Sequence, residues 1–452
     1  MEVIPRDVSF ATASLTGMNR NRYRLETNGA TSAGPSSIIT ITMPSNALLD
    51  LKTFRITMDL LTTANEATPG TTAVGDVYAK LPADVSSIIS AVEVYCGGVQ
   101  ITQSCSEYNT LNRILKIVRC SRDRDGSVDR LLSHGSISTG SAVDDVSVVL
   151  SDFKSFLGES STRYLPTNLT GDLTIRLTLA PASVLTFVEH NRGAGTDFSD
   201  VTARTKAAAL TYSASNIHAT IDTISLGSAY DSMLLSRLQS EEFLPINFKE
   251  YYTFSLHGTA VSQHSVRFSL NASSVDACYA VFRNENYTSN GIKMQSYQGA
   301  NLTDAQCSNA LFFKSFNNSN TKRGAFKYKW TVANVSYPQY SADILDAAAD
   351  LSLVTNQVHT HDKGHMVTSL AKFNQGMCVI PLVLNLPGQD LNVASGYNCR
   401  GGNISFSLEV SGQTVPSASA TTQALGSIAT FVVCETTAQL RILGQKSVAV
   451  SF

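Results

Sequence analysis

Apolar side chains recur at every second position in segment after segment of this chain, and that period constrains its folding more than any other feature. Ile39, Ile41 and Met43 form one run; Phe54, Ile56, Met58 and Leu60 a second; Leu173, Ile175, Leu177 and Leu179 a third; Val266, Phe268 and Leu270 a fourth. Phe326, Tyr328, Trp330 and Val332, then Ile404, Phe406, Leu408 and Val410, continue the pattern. Successive strand residues point to opposite faces, so each run turns an apolar face to a core and a polar face outward. Parallel strands, buried on both faces, read as unbroken apolar runs, so these strands are expected to be antiparallel. Long stretches rich in Gly, Ser, Thr and Asn lie between them, such as 62–75 and 191–205. Many strands with long loops predict sandwiches with Greek-key connections.

Three segments switch to helical spacing. Tyr108, Leu111, Leu115 and Val118 share one face of a helix expected over 106–118. A second is expected over 231–239, ahead of Pro245. A third follows Pro338, with Ser341 as N-cap, Asp343 in the first turn, and Ile344, Ala348 and Leu351 on its buried face. Helices this sparse are insertions in a β protein.

At 452 residues the chain is longer than one core usually organises, and domains of about 150 to 225 residues give two. Ser86–Cys96 and Ser273–Arg283 read almost alike, as copies of one unit would. The division expected is an arm over 1–31, a first sandwich over 32–226, a linker with a short helix over 227–247, and a second sandwich over 248–452. Charged residues are only 15% of the chain, against a typical value of about 25%. A surface so poor in charge is weakly protected against association, which predicts large areas buried against other subunits.

The net charge of −2 gives no strong attraction to phosphate backbones, so sequence-specific nucleic-acid binding is not expected. Arg20, Arg22 and Arg24 around Tyr23 form the one basic cluster near a terminus, a candidate contact with anionic lipid or genome and otherwise a solvated arm. The first residues carry no basic segment followed by an apolar one, so no secretory signal is expected. No apolar run reaches the ~18 residues that cross a bilayer, and 378–384 is a short buried strand holding Pro381. The eight cysteines include no C-x-x-C pair and are read as core hydrophobes rather than zinc ligands or a disulfide scaffold. Sequons such as Asn168, Asn271, Asn286 and Asn403 are read as products of composition.

His359, His361 and His365 are the only histidine cluster, a weak metal candidate because Lys363 adds a repelling charge and no fourth ligand is evident. The bland reading is a polar loop after the third helix, and an intermediate one is a subunit contact that weakens on protonation near pH 6. Residues 123–129 hold part of a calcium loop without its closing Glu and are read as a solvated turn. Phosphate-binding loops, nucleophile elbows, zincin motifs and dinucleotide fingerprints are all missing from the sequence, so neither an enzyme nor a cofactor is expected. The acidic pairs Asp144-Asp145 and Glu241-Glu242 cannot be assigned a shared face, and a glycosidase gains no support from them.

Several motifs add to this reading through their order. Asn46-Ala47-Leu48-Leu49-Asp50-Leu51 leads into the strand at Phe54, and Gly97-Gly98-Val99-Gln100 precedes Tyr108-Asn109-Thr110-Leu111. Tyr337-Pro338 comes ahead of a helix, Asn385-Leu386 ahead of Ser395-Gly396-Tyr397-Asn398, and the chain closes with 439–442 and 448–452. In this order, from about Ser37 onward, the chain resembles the double jelly-roll major capsid proteins of the tectivirus and adenovirus lineage, most closely those of virophages and polinton-like viruses. The resemblance implies an all-β fold of two tandem eight-stranded jelly rolls with a few short inserted helices. It further implies a homotrimeric, pseudo-hexameric block that tiles an icosahedral shell in the virion. Such shells commonly enclose double-stranded DNA, often with an internal lipid membrane, and penton and minor capsid proteins are further partners. Jelly rolls also serve as lectins and attachment proteins. That alternative needs an exposed aromatic groove, for which Phe326, Tyr328 and Trp330 are the candidate; their alternation reads instead as core.

Overall fold

The structure, a computed structural model, describes residues 19–29, 31–66, 76–82, 85–102, 107–119, 143–189, 209–225, 228–257, 262–284, 293–294, 307–308, 313–319, 321–358, 370–384, 396–401, 404–414, 428–444 and 446–452. In the first half the principal strands are β1 (Asn19–Glu26), β2 (Ile38–Thr42), β3 (Leu48–Thr62), β4 (Ile89–Cys96), β5 (Val99–Gln100), β6 (Asp145–Leu150), β7 (Leu173–Leu179) and β8 (Tyr212–Ser225). In the second they are β9 (Leu244–His257), β10 (Gln263–Leu270), β11 (Val275–Asn284), β12 (Lys327–Val332), β13 (Val335–Asp343), β14 (Val379–Val383), β15 (Ile404–Ser411) and β16 (Ile428–Gly444). All of their pairings are antiparallel.

The principal strands of the first half form two sheets in the orders β1-β8-β3-β6 and β2-β7-β4-β5, and those of the second form β9-β16-β11-β14 and β10-β15-β12-β13; a further three-stranded and a two-stranded sheet of short strands lie outside them. Counted from the start of each half, both read 1-8-3-6 and 2-7-4-5, the strand order of a jelly roll, in which two Greek keys wrap onto facing sheets. The short strand Tyr164–Pro166 extends the first of these sheets beside β3, and Ser447–Ser451 extends the third beside β16. The chain is therefore two jelly rolls in tandem.

Local chemistry repeats with the topology. Gly97 and Gly98 close the β4–β5 hairpin with φ of 54° and 83°, the two left-handed positions that a two-residue turn of matching twist demands. The β12–β13 hairpin occupies the same place in the second roll, and there Ala333 and Asn334 take φ of 46° and 69°. A helix follows each hairpin: α1 (Tyr108–Arg119) in the first roll and, after the short α2 (Phe156–Glu159), α3 (Thr167–Thr170) and the inter-roll α4 (Ser228–Glu241), α5 (Ile344–Val358) in the second, with α6 (Leu370–Gly376) beyond it. Tyr108, Leu111, Leu115, Val118, Ile344 and Leu351 are buried as expected, whereas Ala348 is half-buried and Ala347 is the buried alanine of α5. Pro381 lies in β14, at the edge of its sheet, where a strand tolerates a missing N–H.

Several expectations are corrected. Residues 19–26 of the expected arm are strand β1, paired residue for residue with β8 from Asn19↔Ser225 to Glu26↔His218. Leu244 and Ile246, inside the expected linker, are buried residues of strand β9. Ser341 lies in β13 and does not cap α5. Asp343 does: its carboxylate accepts from the backbone N–H of Leu345 at 2.9 Å and of Asp346 at 3.2 Å, and Asp346 accepts in return from Asp343 N–H at 2.8 Å. The look-alike segments Ser86–Cys96 and Ser273–Arg283 fall on β4 and β11, which hold different places in their rolls. Their likeness reflects a shared need, a serine turn leading into a buried strand; the duplication shows in strand order.

Candidate assembly surfaces

The two rolls meet along a buried seam. Phe156 of α2 meets Phe248 of β9 edge to face, ring centroids 5.4 Å apart and planes at 87°, and both are buried. Around that contact the Ser155 hydroxyl donates to Glu250 at 2.8 Å and the Tyr251 hydroxyl donates to Glu159 at 2.5 Å. Main chain joins main chain beside it: Ser161 N–H donates to the carbonyl of Asn247 at 2.7 Å, and Asn247 N–H donates to the Ser161 hydroxyl at 3.0 Å. So the outer edge of β9, which a lone second roll would leave bare, is closed by the segment 155–161 of the first.

A second link crosses higher up. Arg283 of β11, 2% exposed, donates to Glu107 at 2.6 Å and to the Thr110 hydroxyl at 3.1 Å, both at the start of α1. Its guanidinium also lies 5.5 Å from the ring of Phe431. One contiguous cluster of buried apolar side chains runs from Ile39 to Val448 through both rolls. An interface that continues the core in this way fixes the two rolls as one block.

The sequence-predicted basic cluster is built into β1. Alternation puts Arg20, Arg22 and Arg24 on one face. Arg20 reaches Asp222 of β8 at 2.6 Å and Asp50 of β3 at 3.3 Å, and Arg22 reaches Asp222 at 2.7 Å. Arg163 completes the network on Asp50 at 2.9 Å, and Arg24 pairs with Glu26 at 2.9 Å. Both aspartates are buried, and the bonds from Arg22 and then Arg20 hold the Asp222 carboxyl below the usual carboxylate range. The second roll repeats the device, with Lys249 of β9 reaching across to Asp276 at the start of β11 at 2.8 Å and to Glu435 at 3.4 Å. In each roll a cation on the first strand spans the eighth strand to an acid at the foot of the third. The arginines thus act as staples with local partners. The acid partners, 30 and 202 residues away from Arg20, are what sequence reasoning missed, although the i, i+2, i+4 spacing of the arginines already marks one strand face.

Comparison with solved structures follows this geometry. VP54 of PBCV-1, in the crystal structure fitted into a reconstruction of the virophage Sputnik, aligns over 97% of this chain and 97% of its own with a TM-score of 0.59 at 15% identity. The chain of the Sputnik virophage cryo-EM structure aligns over 96% and 88% with a TM-score of 0.53 at 14% identity. The Faustovirus major capsid protein aligns over 94% and 91% with a TM-score of 0.56 at 10% identity. The fold is theirs. No protein-family model and no curated protein matches the sequence.

Within this double jelly roll, the aromatic stripe is core. Phe326, Tyr328 and Trp330 are 0%, 2% and 1% exposed and Phe326 packs edge to face on Phe282, so none of the three presents a ring at the surface. His359, His361, His365 and residues 123–129 lie outside the described residues, and among the described residues no group of three His, Cys, Asp or Glu is placed to hold a metal. Cys96, Cys278, Cys378, Cys399 and Cys434 are buried free thiols, as core hydrophobes should be. Cys278 and Cys434 face each other across β11 and β16 with sulfurs 3.3 Å apart; burial pushes Cys434 well above the ordinary thiol range and Cys399 up to about 11. Among the described residues no helix is long and apolar enough to cross a membrane.

Proposed function

We propose that this chain is the structural subunit of an icosahedral viral capsid, with a virion location and no catalytic role. The observation that carries the reading is the pair of jelly rolls of identical strand order, locked side by side by a buried seam. Two such rolls per chain let three copies present six similar flanks, so a three-fold oligomer can occupy a six-neighbour lattice position. The low charge content fits the area that such a lattice buries. Structures of similar fold include the PBCV-1 virus capsid and the Faustovirus major capsid protein. On this reading the domains are a first roll within 19–225 and a second within 244–451, the partners are copies of the same chain together with penton and minor capsid proteins, and the shell encloses DNA.

Native mass spectrometry of the purified chain over a range of concentrations, run beside a glycan array, tests the proposal. Trimers that build up as the concentration rises, with no glycan bound, are expected. Monomers at every concentration, or saturable glycan binding, would contradict it.

A further inference from the structure

We infer that the exposed outer edge of β1 is the docking site for a second copy of this chain, which covers it as the first roll already covers β9. The inference rests on the capsid reading and adds where the copies touch. β1 and β9 hold the same place, the first strand at the edge of the 1-8-3-6 sheet. Both are stapled by a cation to a buried acid, Arg20 to Asp50 and Lys249 to Asp276. Their surroundings differ in one respect. Leu244, Ile246, Phe248 and Glu250 of β9 are buried and its outer edge is hydrogen-bonded by 160–161, whereas every residue of β1 except Leu25 is exposed. Among the described residues the backbone of β1 bonds to β8 alone. A rigid edge strand with an open hydrogen-bonding side is a template for another chain unless something covers it. Its guards are Arg20, Arg22 and Arg24, and each is held by an acid of its own chain, Arg20 and Arg22 by Asp222 and Arg24 by Glu26. Tyr23, 47% exposed, is the apolar side chain it offers.

The seam inside the chain shows how that edge is covered. The flank of the first roll that carries α2, beside β3, lies against β9. Repeating the same contact sets the flank of the second roll, the one ending at β14, against β1 of the next copy. The contact is head to tail, so it uses different surfaces on the two copies and generates a ring when the rotation closes.

Hydrogen exchange on the unmodified chain, in its dilute monomeric and its oligomeric fractions, reads this directly. Amides of 19–26 should exchange at least about tenfold more slowly in the oligomer. The double variant Tyr23→Asp/Arg24→Glu, which places two acids on the edge and leaves Arg20 and Arg22 on their aspartates, should shift the monomer–oligomer midpoint upward by about a hundredfold in concentration. Its thermal midpoint as a monomer should be unchanged. Equal exchange at 19–26 in the two fractions, with the variant still oligomeric, would overturn this surface while leaving the capsid reading in place. A wild-type chain that never oligomerises would instead remove the capsid reading itself. If the variant fails to fold, the exchange comparison decides.

Discussion

Asp222 shows how single residues hold this fold and how pH should reveal them. Its folded-state pKa is depressed by Arg22 and Arg20, so its pairing stabilises the fold fully above the unfolded value of about 3.9 and is lost as pH falls through the folded value. In urea titrations Asp222→Asn should therefore be less stable than wild type at pH 7, and the two curves should converge below about pH 4; a gap that widens in acid would contradict the assignment. Ala333 is strained in the opposite sense, a non-glycine residue at φ 46° where the first roll uses Gly97. Ala333→Gly should stabilise by about 0.5–1 kcal/mol in equilibrium unfolding. Cys96, Cys278, Cys378, Cys399 and Cys434 should stay unlabelled by iodoacetamide in the folded chain and react on denaturation, mapped peptide by peptide, because burial keeps the reagent from them. Little of this residue chemistry was legible beforehand. Arg20, Arg22 and Arg24 look like a solvated basic patch until Asp50 and Asp222, remote in sequence, are folded beneath them.

Among elements, legibility tracks apolar content. β2, β3, β7, β10, β12 and β15 announce themselves because each puts alternate apolar residues on the core. β1 does not, because its strand is fixed by pairing with β8 and by ion pairs rather than by an apolar face. The spacing of α1 marks it plainly, whereas the cap of α5 falls at Asp343, two residues beyond Ser341, because both are good cap formers and only the end of β13 chooses between them. The seam elements carry the strongest single-site prediction. Phe156 is wholly buried between the rolls, and Phe156→Ala should cost about 3–5 kcal/mol of stability in denaturant unfolding. Arg283→Ala removes the buried cation that Glu107 and Thr110 hold and should lower stability in the same measurement.

Taken whole, the molecule is two equivalent units that behave as one because their cores are continuous. Calorimetry should show a single cooperative transition for the wild type and two for Phe156→Ala/Arg283→Ala, the double variant uncoupling rolls that remain individually packed. The number of strands and the chain length made two sandwiches legible in the sequence. The way they dock was not, since Ser155, Glu159, Glu250 and Tyr251 are ordinary polar residues until the seam brings them together. That docking is also what makes the chain a candidate building block, a rigid pair of like flanks with one first strand covered and the other open. A single-particle reconstruction of the assembled protein by cryo-electron microscopy decides the matter: the expected density is six jelly rolls around a three-fold axis, with β1 of each copy against a neighbour. Isolated two-roll particles, or an oligomer that leaves β1 in solvent and joins the rolls in some other order, would contradict it.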